Sequence, residues 1–173
     1  DLLLATTKHP AMLEYLDNAS SVSVRNAQRM NANAPRNARG LNENYAREVM
    51  ELHTLGVDGG YTQADVTAVA RALTGWTVMP LAKDGPGRNL LERLNPEQLS
   101  RRGFVMQGDF LFRADQHDNE PKTILNKNFS ANGGYQEGVD VLTMLAEHPS
   151  TAQFICTKLA TRFVSDTPSV SLI

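Results

Sequence analysis

Apolar residues return every three or four positions in several separate stretches of the chain. Val66, Val69, Ala70 and Leu73 follow Thr62 at that spacing, which predicts a helix from Thr62 to the stop at Gly75, with Thr62 and Asp65 as a capping box. Before it, Asn42 reads as the cap of a helix over roughly 43 to 55 that Gly56 closes. On that helix Tyr45, Val49, Leu52 and His53 share the apolar side, while Arg47, Glu48, Glu51 and Thr54 share the other. Two short helices are expected, one starting at Pro10 with Met12, Leu13 and Leu16 inward, the other in "NPEQLSRR" with Asn95 as cap and Pro96 at its first position. Near the end, "GGYQEGVDVLTMLAEHPS" turns Val139, Leu142 and Leu145 to one face and halts at His148 and Pro149, where His148 reads as a residue favoured by the helix dipole. After Ser150 as cap, Ala152, Ile155, Cys156, Leu159, Ala160 and Phe163 repeat as a core-facing stripe in which Cys156 is expected to be a buried, inert thiol.

Between these helices the period changes. Phe104 to Met106 and Phe110 to Phe112 flank "QGD", and Thr123 to Leu125 precede "NKN", which predicts a small β-hairpin or three-stranded insert. Apart from the short helix at Pro96, residues 77 to 100 read as irregular, and 18 to 41 as one long loop rich in Asn and Arg. The expected fold is mainly α: five or six helices packed in one domain, residues 1–173, with a β-hairpin insert around 104–129.

Length and composition support one core rather than two, since 173 residues are 41% hydrophobic. With 17 basic against 19 acidic residues, no global charge calls for a nucleic acid. No apolar run approaches the ~20 residues of a membrane span, and a single cysteine excludes a disulfide within the chain. A first residue other than methionine and the ending "PSVSLI" lead us to expect a piece of a larger protein.

Candidate chemistry concentrates in "GLNENYAREVMELHTLGVDGGYTQADV", which carries five acidic residues and one histidine. Glu51 and His53 lie about 200° apart around a helix, so they do not form a zinc pair. Glu48 and Glu51 are one turn apart, with Arg47 placed to pair with Glu51. The loop "RADQHDNEPK" crowds Asp115, His117 and Asp118, and of these Asp115 and His117 are suitable metal ligands. Arg25, Arg29, Arg36 and Arg39 have no acidic residue among them between Asn18 and Asn42, a composition suited to anion binding or to a solvated loop. There is no G-x-S-x-G element and no glycine-rich phosphate loop, which removes serine-hydrolase and nucleotide-binding chemistry of those kinds.

In motif content and order, "HPAMLEYLD", "GLNENYAREVMELHTLGVDGGYTQADVTAVARALTGW", "FLFRADQHDNEPKTIL" and "VLTMLAEHPSTAQFICTKLATRFVSD" resemble the C-terminal half of the bacterial family called domain of unknown function 1800. Members of that family carry Leu where Val49 stands and Gly where Asn126 stands. The resemblance implies a larger, mostly helical parent often exported from bacterial cells, whose N-terminal part would be a partner of this chain. It assigns no reaction and no catalytic residue.

Two functional expectations follow. The first is a hydrolase in which Glu43, Glu48, Glu51 and Asp118 supply acid and base to a saccharide substrate. In its metal-assisted variant Asp115 and His117 hold a divalent cation, and the four arginines receive an ester or phosphoester. The alternative is a non-catalytic binding or assembly domain of an exported cell-surface system.

Overall fold

The computed structural model describes residues 1–23, 40–80 and 95–173, and among these helices predominate over two small antiparallel sheets. The helices are α1 (Leu2–Lys8), α2 (Pro10–Tyr15), α3 (Glu43–Leu52), α4 (Gln63–Ala72), α5 (Pro96–Arg101), α6 (Gly134–Ala146) and α7 (Pro149–Phe163). The strands are β1 (Trp76–Val78), β2 (Val105–Gln107), β3 (Phe110–Phe112), β4 (Lys122–Ile124) and β5 (Lys127–Phe129). None of these helices is long and apolar enough to cross a membrane.

The capping predicted for α3, α4 and α5 is present. Asn42 accepts from the amides of Asn44 and Tyr45, and both the Thr62–Asp65 and Asn95–Gln98 boxes are closed in both directions. Caps of this type stabilise a helix by about 1 kcal/mol each. Asp65 does more than cap, because its Oδ1 accepts from the amide of Leu125 at 2.7 Å and so ties the start of α4 to the turn between β4 and β5. That turn consists of Leu125 and Asn126, both at positive φ, so the chain reverses earlier than the sequence suggested and residues 127–129 form the returning strand.

The β region is larger than an insert at 104–129. Trp76, just past the predicted helix stop at Gly75, and Thr77 and Val78, read from the sequence as irregular, pair antiparallel with Phe112, Leu111 and Phe110. The sheet order is therefore β1-β3-β2, with β4 and β5 as a separate ribbon. Gly75, at φ +80°, turns the chain from α4 into β1.

Around this frame α3 packs on α4, α4 on β4 and α6, and α2 on β1. Leu13, Tyr45, Val49, Met50, Val66, Val69, Leu73, Trp76, Phe112, Ile124, Val141 and Leu145 form the fully enclosed core. Trp76 is its centre, edge-on to Phe110 with ring centroids 5.2 Å apart and stacked on Tyr135 at 5.6 Å. A smaller cluster of Leu99, Phe104 and Leu111 seats α5 against the other side of the sheet.

Three sequence expectations fail on the helices. Leu52, assigned to the apolar side of α3, is half exposed. His148 caps the start of α7, its Nδ1 accepting from Ser150 N at 3.2 Å, where Ser150 had been expected to cap and His148 to close the preceding helix. Pro149 at the first position explains the shift, since it needs no hydrogen-bond partner for an amide and presets the helical φ. The third failure is the stripe on α7, of which Ala160 alone is buried. Ile155, Leu159 and Phe163 are 36%, 53% and 78% exposed, and Cys156 is exposed with them. The inner face of α7 is carried instead by Phe154, whose ring packs so closely on Gly56 that a Cβ there would meet it at 2.7 Å.

Candidate functional site

The densest polar cluster lies where the loop between β3 and β4 folds over the end of α4. Thr74 anchors it. Its hydroxyl accepts from the amide of Asp118 at 2.8 Å, and its carbonyl accepts from Nδ1 of His117 at 2.9 Å. Gly75, next along, accepts from the amide of Arg113 at 2.8 Å, so two successive residues after α4 fix the start and the middle of the loop.

Inside the loop three ionisable side chains meet with almost no access to solvent. Nε2 of His117 lies 3.1 Å from Oε2 of Glu137, and Nζ of Lys122 lies 2.8 Å from the same oxygen, with side-chain exposures of 0%, 2% and 0% for His117, Glu137 and Lys122. Lys122 also donates to the carbonyls of Asp118 at 2.6 Å and Glu120 at 2.9 Å, which occupies all three protons of its ammonium. A carbonyl oxygen has no proton to give, so Nδ1 of His117 donates to that of Thr74. Glu137 Oε1 is buried with no hydrogen-bond partner among the described residues.

Local structure explains how each group arrives. Glu137 lies four and eight residues before Val141 and Leu145 on α6, which are buried, so it points into the core with them. Lys122 alternates with Ile124 on β4, and both face inward across exposed Thr123. His117 is pressed against Phe112, ring centroids 5.3 Å apart. Lys122 belongs to the crowded loop segment but was given no role, and Glu137 and Thr74 did not stand out, although a carboxylate falling in register with buried apolar neighbours was a signal within the sequence.

Asp118, one residue beyond His117, forms a two-pronged pair with Arg71 at 3.0 and 3.1 Å. Burial works to raise its pKa, but the hydrogen bond from Arg71, the amide of Glu120 and the charges of Arg71 and Lys122 hold it below the usual carboxylate value. Asp65 is likewise held low: burial opposes ionisation, and the Thr62 hydroxyl and the amides of Leu125 and Thr62 outweigh it. A depressed native pKa means the unfolded chain binds the proton first. The stability these two groups contribute is therefore complete above about pH 4 and is lost as the pH falls through their lower native values. Urea midpoints measured downward from pH 5 should fall steeply, and Asp118→Asn should flatten that fall. An unchanged slope in the variant would show that the Arg71 pair contributes nothing to it.

The remaining candidates are spread over other partners. Glu43 accepts from Gln63 Nε2 at 2.8 Å and Thr67 Oγ1 at 2.7 Å, cross-linking α3 to α4. Glu51 pairs with Arg47 at 3.5 Å, the spacing foreseen, and accepts from Tyr61, whose hydroxyl is pushed up to about 12 by burial first and by Glu51 next. Glu48 is half-buried one turn from Glu51, while Glu43 and Glu51 are separated by about 12 Å of helix rise. Asp115 pairs with Arg113 at 2.7 Å, whereas His117 faces Thr74 and Glu137, so the two expected metal ligands have different partners. Among the described residues, no three His, Cys, Asp or Glu side chains gather as a metal ion would need. Arg25, Arg29, Arg36 and Arg39 lie outside the described residues.

No curated protein matches the chain, and no solved structure does. The family described as protein of unknown function (DUF1800) matches residues 1–173, the full length, and the chain belongs to that family.

Proposed function

We propose that this chain is a non-catalytic binding or assembly domain and that α7 is its contact face. The observation that carries this is the outward stripe of α7. At about 100° per residue, Ala152, Ile155, Cys156, Leu159 and Phe163 fall within an arc of roughly 100°, on the side opposite Phe154. A contiguous apolar patch of this kind on a folded surface marks an interaction site. The use of the acidic residues agrees with it: Glu43, Glu51 and Asp118 each bind groups of their own chain, and the His117–Glu137–Lys122 cluster is sealed from any substrate. The exported setting implied by the family resemblance belongs to the same proposal.

Purified chain should give no turnover on a panel of chromogenic glycosides, phosphoesters and carboxylesters, with or without added divalent metal. Turnover abolished by Glu51→Gln would establish the carboxylate hydrolase instead, and turnover abolished by chelator and by His117→Ala would establish the metal-assisted one.

A further inference from the structure

The occupant of the α7 face is identified by a second exposed surface on the same molecule. Between α1 and α2 lies an open groove of about 600 Å³ with a predominantly apolar wall, lined by Ala5, Thr6, His9, Ala11, Met12 and Tyr15. Its shape suits a helix ridge, since alanines form low points and Tyr15, 85% exposed, stands beside them. Tyr and Met are also side chains enriched where proteins meet.

Charge sets the pairing. Helix α7 carries no acidic residue; exposed Arg162 flanks its stripe, and exposed Lys158, next to it around the helix, lies over the Phe154 ring at 4.3 Å. Glu14 on α2 and Asp17 just beyond it are exposed near in sequence to the groove residues Ala11, Met12 and Tyr15. The one lysine of α1 is directed elsewhere: Lys8 donates to Gln107 at 2.6 Å and lies over the rings of Phe110 and Tyr135. An apolar ridge with a basic flank thus has its complement in an apolar groove with acidic residues close by in the chain.

Both surfaces are exposed in the folded chain, so neither covers the other within one molecule. Pairing α7 with a second α7 in antiparallel fashion would lay the basic flank of one copy along that of the other, which is repulsive. Resting on the assembly reading above, we propose that the α7 stripe of one copy docks in the α1–α2 groove of a second copy, with Phe163 as the inserted side chain. The contact joins two different patches, so it is head-to-tail and leaves one free ridge and one free groove on every pair.

That geometry has a specific test in solution. Sedimentation equilibrium of the full chain should give a mass that rises with concentration beyond that of a dimer. Phe163→Glu, which spoils the ridge, and Tyr15→Glu, which spoils the groove, should each weaken association about tenfold or more while leaving the far-ultraviolet circular dichroism unchanged, because both residues are largely exposed. Mixed in equal amounts, the two variants should form a dimer that grows no further, since one intact ridge meets one intact groove. Association should also slow the labelling of Cys156 by a thiol reagent.

A monomeric wild type overturns the proposal. So does association lost in Phe163→Glu but kept in Tyr15→Glu, which would mean that α7 pairs with α7. Either result leaves an inert assembly domain standing, whereas turnover in the substrate panel removes that broader reading.

Discussion

Glu137→Leu is expected to lower stability by about 3–5 kcal/mol, measured by urea unfolding at neutral pH, because it strands the buried ammonium of Lys122. Both hydrogen-bond partners of Glu137, His117 and Lys122, are wholly enclosed, and Lys122 would keep the carbonyls of Asp118 and Glu120 and the Asp118 carboxylate at 3.7 Å. A loss of this size is a large part of the 5–15 kcal/mol that holds an ordinary domain together. The companion experiment separates a stranded charge from a simple loss of packing. Lys122→Met removes the charge, so the double variant Glu137→Leu with Lys122→Met should be less damaged than the sum of the two single losses, with a coupling of roughly 1–3 kcal/mol. Exact additivity, or a loss below about 1 kcal/mol in Glu137→Leu, would show that the cluster is not the tie between α6, β4 and the loop.

Legibility in the sequence followed the range of the forces involved. Helices whose limits are set by neighbouring residues were readable: Asn42 beside Glu43, Thr62 with Asp65, and Asn95 with Pro96 and Gln98 place their caps within three residues. The Phe104 to Phe112 hairpin was readable for the same reason. What could not be read locally was long-range pairing. Trp76 to Val78 became a strand only because β3, more than thirty residues later, offered a free edge. His117 was singled out from its loop, but its partners Thr74 and Glu137 lie 43 and 20 residues away. Asp115, two residues before it and expected as the second metal ligand, turns to Arg113 instead. On α7 the period was correct and its direction was not, because spacing defines a stripe without saying what covers it. Phe154 took the inner face, where its ring packs on Gly56, which has no Cβ to obstruct it.

Gly75→Ala is expected to cost about 3 kcal/mol or more, the second largest loss foreseen, from two sources that a control can divide. Gly75 has φ +80°, which costs an L-residue roughly 1–2 kcal/mol. A Cβ there would also lie 2.5 Å from the carbonyl oxygen of Arg113 and 3.4 Å from the amide nitrogen of His117, and backbone atoms cannot swing aside as a side chain can. Gly60 has nearly the same φ, +82°, with nothing within 4 Å of its Cβ position, so Gly60→Ala carries the conformational cost alone. The difference in unfolding free energy between the two variants therefore measures the close approach of the loop to the end of α4. Because Gly75 accepts from Arg113 and Thr74 holds both His117 and Asp118, relieving that contact must shift the loop away from Thr74. Near-ultraviolet circular dichroism of the neighbouring Trp76 should change in Gly75→Ala and not in Gly60→Ala. Equal losses in the two variants would mean that the strand and loop yield without strain, and the rigid seat inferred for His117 would have to be abandoned.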